Sequence, residues 1–208
     1  HLRPLYASKG YLRATIGPPQ PKLTIDTNYP TETAVDVLIP VAPGPVYTWN
    51  GTAWQGNTAI TSANLDKAVQ MKTGDPVDGM KIEAMWQTIE AAYGSHGYLD
   101  AKLSPQPRFD DSAHSVSYSV TITEGAQYRM GQLVVTGLSL DAEKRLRNVW
   151  LIPSGQFFDN NYFEKMAKEL AKPSADIFGE MPVHYAEFGH WLRPDPDKHT
   201  VDVLLDFK

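Results

Sequence analysis

Tyr93-Gly94-Ser95-His96-Gly97-Tyr98-Leu99-Asp100-Ala101 repeats Tyr6-Ala7-Ser8-Lys9-Gly10-Tyr11-Leu12-Arg13-Ala14 at an offset of 87, with six of nine positions identical. Downstream the offset is 81: Val35, Val37, Ile39 and Val41 align with Val116, Tyr118, Val120 and Ile122, Gly44 with Gly125, and Tyr47 with Tyr128. The six-residue change falls in a connecting loop, where length differences are tolerated. A third copy follows. Val201, Val203, Leu205 and Phe207 lie 85 residues beyond the second set, and Gly74-Asp75-Pro76-Val77-Asp78 matches Gly155-Gln156-Phe157-Phe158-Asp159 at 81. Matches that keep their order at a near-constant period mark a tandem array of one supersecondary unit, here 80–85 residues long.

The middle copy reads most clearly. From Ser115 to Thr123, Val116, Tyr118, Val120 and Ile122 alternate with serines and threonines, which predicts a half-buried strand ended by Glu124-Gly125. Gly97 to Leu103 reads as a second short strand, joined to the first through Pro105, Pro107 and Asp110-Asp111, residues that favour a loop. Upstream, Ile82, Met85, Trp86, Ile89 and Tyr93 form one apolar helical stripe, with Asp78 as N-cap and Gly94 and Gly97 as stops. A shorter helix is expected from Ser62 to Met71, and an opening strand from Val46 to Trp49. Trp49 and Trp54 flank Asn50-Gly51 in a loop-like stretch and are candidates for exposed partner contacts.

The third copy gives an opening strand at Gln132–Thr136, helices at Asp141–Val149 and Asp159–Ala171, and strands at Val183–Phe188 and Thr200–Phe207. The first copy starts at the end of its second helix. Its closing strand contains Pro40, which lacks a ladder donor and is expected at a bulge. The expected fold class is α+β: tandem β-α-α-β-β units, each a three-stranded mixed sheet covered on one face by two helices. The expected boundaries are 1–44 for a partial unit, then 45–126 and 127–208.

Composition narrows the function. The chain has 208 residues, 42% hydrophobic and 21% charged, and no apolar run approaches the roughly 20 residues of a spanning helix. A formal charge of −5 with scattered Lys and Arg argues against nucleic acid as a partner. With no cysteine there is no disulfide, thiolate catalysis or Cys-based zinc site. The opening His1-Leu2-Arg3-Pro4 does not read as a signal peptide. The chain is expected to be part of a longer exported protein.

The helix ending in Tyr93, the Gly97-Tyr98 pair, the alternating strand ending Glu124-Gly125 and the run Tyr128-Arg129-Met130-Gly131-Gln132-Leu133-Val134-Val135-Thr136-Gly137 together resemble the POTRA (polypeptide-transport-associated) domain. The resemblance covers nearly the whole chain and is strongest from Tyr93 to Gly137. It implies a module of the periplasmic arm of an outer-membrane barrel-assembly or secretion protein. The implied partners are unfolded or extended polypeptides, other subunits of the assembly machine, and a covalently continuous outer-membrane barrel. No cofactor is implied. With strand order first–last–second, the second strand of each unit lies at an edge, where an extended client can add by main-chain hydrogen bonds. The candidate edge residues are Tyr11, Leu12 and Arg13; Tyr98, Leu99, Asp100, Ala101 and Lys102; and Val183, His184 and Tyr185.

Two other readings compete. The units could be rigid spacers that hold folded partners. His184, Glu187 and His190 could bind a metal for hydrolysis, but residues three apart on a strand face opposite sides, so their spacing favours ordinary strand and loop roles. Asp75, Asp78, Asp110, Asp111, Asp195 and Asp197 sit beside Gly, Pro or turn residues, where capping accounts for them without acid–base chemistry. The chain is therefore expected not to be an enzyme.

Overall fold

A computed structural model describes residues 2–25, 33–172 and 185–208. The order of elements is α1 (Leu2–Ala7), β1 (Thr15–Ile16), β2 (Gln20–Ile25), β3 (Thr33–Leu38), β4 (Val41–Ala42), β5 (Thr48–Gln55), α2 (Ser62–Leu65), α3 (Gly79–Ser95), β6 (Lys102–Asp110), β7 (Ser115–Thr123), β8 (Arg129–Thr136), α4 (Leu140–Val149), α5 (Asn160–Leu170), β9 (Phe188–Asp195) and β10 (Thr200–Phe207). The chain divides into two compact units. One holds residues 1–55, 63–86 and 105–120; the other holds 56–62, 87–104 and 121–208. The division passes through α3, so each unit contains one complete junction between successive repeats.

The second and third repeats follow the expected β-α-α-β-β order. Their sheets run β5-β7-β6 and β8-β10-β9. In the latter, β10 lies parallel to β8 and antiparallel to β9, so the sheet is mixed. The alternation in Ser115–Thr123 buries Val116, Val120 and Ile122. Tyr118 stacks on Trp49 with centroids 5.7 Å apart and meets Trp86 edge-on at 5.5 Å. On α3 the stripe Ile82, Met85, Trp86, Ile89 and Tyr93 is buried, and Asp78 accepts the Met80 N–H at 2.9 Å as its N-cap. In the third repeat Leu146, Phe163, Leu170, Val201, Val203, Leu205 and Phe207 form one core.

β6 runs to Asp110, so Pro105 and Pro107 lie inside a strand and not in a loop. Both are compatible with an edge strand, which has one side of its backbone to spare. Trp49 and Trp54 belong to β5: Trp49 is buried, and the Trp54 indole N–H donates to Asp66 at 2.8 Å. Gly51, with φ +98°, lets Asn50-Gly51 pass within the strand without turning it back. The helix expected from Ser62 to Met71 stops at Leu65 and continues as a short 3₁₀ turn over Asp66–Ala68.

The first repeat forms two two-stranded antiparallel ribbons, β1–β4 and β2–β3. Pro40 falls between β3 and β4, and its carbonyl accepts the Gly17 N–H at 2.8 Å. Val35, Val37 and Leu23 are more than half exposed.

Candidate functional site

The Gly-Tyr pair is a helix terminus and not a strand start. Gly97 has φ +85°, its N–H bonds to the Gly94 carbonyl at 3.1 Å, and the Tyr98 N–H reaches back to the Tyr93 carbonyl at 3.1 Å. Gly10 does the same at φ +87°, with Gly10 N–H to Ala7 and Tyr11 N–H to Tyr6, both 3.1 Å. This paired pattern closes a helix through one left-handed residue. The next residues remain in a turn, with the Ala14 N–H on the Tyr11 carbonyl and the Ala101 N–H on that of Tyr98. Tyr11, Leu12, Arg13, Tyr98, Leu99, Asp100 and Ala101 therefore lie off the sheet edges, and of that group only Lys102 is in a strand. Val183 and His184 lie outside the described residues. Tyr185 precedes β9, its hydroxyl donating to the carbonyls of Leu170 and Lys172. The third edge strand thus starts at Phe188, five residues later than expected.

These turns instead build the junctions. The Gly10 carbonyl accepts the Tyr47 N–H at 3.0 Å, and the Gly97 carbonyl accepts that of Tyr128 at 2.8 Å. The Tyr47 and Tyr128 carbonyls in turn accept the Val77 and Phe158 N–H groups, each at 3.0 Å. His114 and His199, both with positive φ, close their hairpins and accept the Thr48 and Arg129 N–H groups at 2.9 Å. The tyrosine hydroxyls end differently. Tyr128 donates to Asp100 at 3.1 Å, whereas Tyr47 donates to Asp111 at 2.7 Å, which also pairs with Arg13 at 2.9 Å. The Tyr47 hydrogen bond and the Arg13 charge hold the Asp111 carboxyl below its ordinary value. Six identities in nine repeat positions, with the Tyr47–Tyr128 match, signalled the glycine caps and the tyrosines that dock on them, since periodicity alone assigns them no role.

Glu124 has a separate task. Its carboxylate accepts the N–H groups of Thr58 and Ala59 at 2.8 and 2.9 Å, the Thr58 hydroxyl, and the Tyr93 hydroxyl at 3.0 Å. Burial pushes the carboxyl up, but these donors outweigh it and its pKa is lowered. The Tyr93 hydroxyl is pushed well above its ordinary range by burial and by Glu124.

Asp75, Asp78, Asp110 and Asp195 cap turns or a helix end. Asp110 accepts from the Ser112 and Ala113 N–H groups and Asp195 from that of Lys198, at equivalent places in the two hairpin loops. His190 lies between Phe188 and Phe163, with ring centroids 5.5 and 5.7 Å away. Among the described residues no three metal-ligating side chains cluster.

The sheet orders leave β6 and β9 at edges. Each is the first strand of a hairpin whose last loop residue is a histidine of positive φ. Residues 47–125 match the family model POTRA, surface antigen variable number repeat. The crystal structure of Haemophilus influenzae BamA POTRA3-5 superposes with a TM-score of 0.72 at 23% identity, covering 100% of this chain and 77% of that one. Residues 47–125 carry the POTRA match, and the whole chain has the fold of tandem POTRA domains. The structure of Haemophilus ducreyi BamA lacking POTRA domains 1-3 shares the fold, with a TM-score of 0.63 at 16% identity, covering 78% of this chain and 29% of the other. A provisionally named outer membrane protein assembly factor of Treponema pallidum is 19% identical over 97% of the chain and 23% of its own length. The outer membrane protein assembly factor BamA of Nitratidesulfovibrio vulgaris is 26% identical over 52% of the chain and 14% of its own length. The chain thus spans less than a quarter of the length of these curated relatives.

Proposed function

We propose that this chain is a periplasmic polypeptide-binding, chaperone-like module of a machine that assembles or translocates outer-membrane proteins, and that it is not an enzyme. Clients bind as extended segments by strand addition at a sheet edge. The observation that carries this reading is the strand order: in both complete sheets the first hairpin strand, β6 or β9, has one side unpaired among the described residues. A few net hydrogen bonds of about 1 kcal/mol each, less the ordering of the client, give micromolar-to-millimolar binding. That range suits a client that must be released. The relatives are named as outer membrane protein assembly factors, which supports this setting; other assembly subunits as partners and an outer-membrane barrel in the same protein are part of the proposal.

The test is dilution of a urea-denatured β-barrel protein into buffer containing the chain. Slower aggregation, with amide shifts confined to edge strands, is the expected result. Unchanged aggregation together with unshifted edge amides would sink the proposal.

A second reading, a rigid scaffold for folded partners, draws on the junctions, where each glycine cap docks on the next opening strand. It predicts binding of folded subunits with the edge amides unaffected.

A further inference from the structure

The two edges are not equivalent. Glu187 and Lys208 exchange backbone hydrogen bonds, 2.9 Å in each direction, so they form a hydrogen-bonded antiparallel pair. Pairs alternate along the ladder, and the register continues Phe188↔Phe207, Gly189↔Asp206, His190↔Leu205 and so on to Asp195↔Thr200. Gly189, Trp191 and Arg193 therefore point their N–H groups into the sheet, while Phe188, His190, Leu192 and Pro194 point outward. Pro194 has no N–H to offer, so three consecutive outward donors end at Pro194.

The β6–β7 hairpin matches this one at an offset of 85, with a four-residue loop in each case and a histidine of positive φ (His114, φ 45°; His199, φ 50°) before the closing strand. On that match Leu103, Pro105, Pro107 and Phe109 are the outward positions. Two of the outward donors are missing from β6, at its centre. Outward prolines are a known way for a sheet edge to resist pairing.

The opening strands are also encumbered where they begin. The Trp49 N–H bonds to the Asp75 carbonyl at 2.8 Å and the Met130 N–H to that of Gln156 at 2.8 Å. The Leu133 carbonyl on β8 accepts from Arg147 at 3.0 Å.

We infer that β9 of the third repeat, through Phe188 to Leu192, is the client-accepting edge and that β6 is closed. This deepens the strand-addition reading and rests on it. The side chains on the helix-free face define the client further. Trp191 is 52% exposed. Its ring lies over Gly189, where any Cβ would collide with it. Trp191 is the one aromatic side chain of β9 on that face. A strand laid along β9 sets every second side chain beside it. The fitting client is an extended segment with apolar or aromatic residues at alternate positions, and not a folded surface or a uniformly polar chain.

The probe is a nine-residue peptide alternating Thr with Val and Phe, with Lys at both ends, titrated into the full isotope-labelled chain. One equivalent is expected to bind, with shifts and slowed amide exchange at Phe188, His190 and Leu192 and none at Leu103 to Phe109. Each outward donor removed should weaken binding about fivefold. His190→Pro with Leu192→Pro, at positions that make no ladder bond, should therefore weaken binding about 25-fold while the far-ultraviolet spectrum stays folded. Pro105→Val with Pro107→Val tests the same claim without relying on loss: this variant should bind a second equivalent, now at β6. Binding at β6 in the unaltered chain, or no second site in the Pro→Val variant, overturns the assignment of edges and leaves strand addition standing. No peptide bound to either protein overturns both.

Discussion

The Tyr128 N–H donates to the Gly97 carbonyl across 2.8 Å, and a Cβ on Gly97 would sit 2.6 Å from the Tyr128 carbonyl oxygen. The helix-capping glycine of one repeat is therefore also the docking point of the next. Gly155 has almost the same backbone, φ +86° against +85°, but open space where a Cβ would go. Gly155→Ala should cost only the left-handed backbone penalty, about 1–2 kcal/mol. Gly97→Ala should cost clearly more, because the junction must open to admit the methyl. Urea unfolding of the two variants reads the difference, and equal losses would show that Gly97 acts as a cap alone.

Trp49 is 2% exposed and stacked on Tyr118, whereas Trp191 is 52% exposed. Trp49→Ala should destabilise the chain by about 3–5 kcal/mol, the range for large aromatic truncations in a core. Trp191→Ala should change stability by less than about 0.5 kcal/mol. Thermal or urea unfolding checks both. A large loss from Trp191→Ala would mean that its face is covered and unavailable to a client.

How far the sequence was readable follows from which interactions are local. The period-two pattern of Ser115–Thr123 and the stripe on Ile82 to Tyr93 each reflect burial of one face, and both elements stand where the pattern puts them. Gly97-Tyr98 is ambiguous in the sequence because glycine after a helix serves equally to end it or to begin a strand; the bonds back to Tyr93 and Gly94 decide the matter. Pro105 and Pro107 argue for a loop only if both sides of the strand must pair. Their spacing of two confines the lost donors to one side, which is the signature of an edge strand. Asn50-Gly51 reads as a turn, which puts Trp49 in a loop, but one left-handed glycine is absorbed within β5. The Asp111–Tyr47 bond joins residues 64 apart and had no local signature.

Glu124 makes stability depend on pH in a stated direction. Its carboxyl is held below the ordinary value of 4.5 by the Thr58, Ala59 and Tyr93 donors. A group whose folded pKa is depressed stabilises the fold above its unfolded pKa, and that contribution is lost as pH falls through the folded value. Glu124→Gln should therefore be less stable than the parent at pH 7, by about 1–2 kcal/mol for weakened charge-assisted bonds. The gap should narrow from about pH 4.5 downward. Urea unfolding of both proteins between pH 7 and 3 tests this, and a gap that stays constant to pH 3 would mean that the Glu124 charge is not what the donors recognise.

Leu23 faces Val35 across the β2–β3 ribbon, and Val37 faces Pro21, so Pro21, Leu23, Val35 and Val37 share one side. Leu23 is 73% exposed and the two valines 54% and 55%. The aligned positions Val116 and Tyr118 in the second repeat have a third strand and helices to pack against. A two-stranded ribbon has marginal stability alone, and an exposed apolar side invites association. The ribbon should therefore exchange its amides fastest among the strands, and the chain should self-associate at high concentration through this face. Leu23→Lys with Val37→Lys should suppress association seen by sedimentation while leaving the unfolding midpoint of the other repeats unchanged, since no core of theirs includes these side chains. Slow exchange of Leu23 and Val35 amides in a dilute monomer would show that the ribbon is stable without a covering partner, and with it the expectation that this face is an association surface would fall.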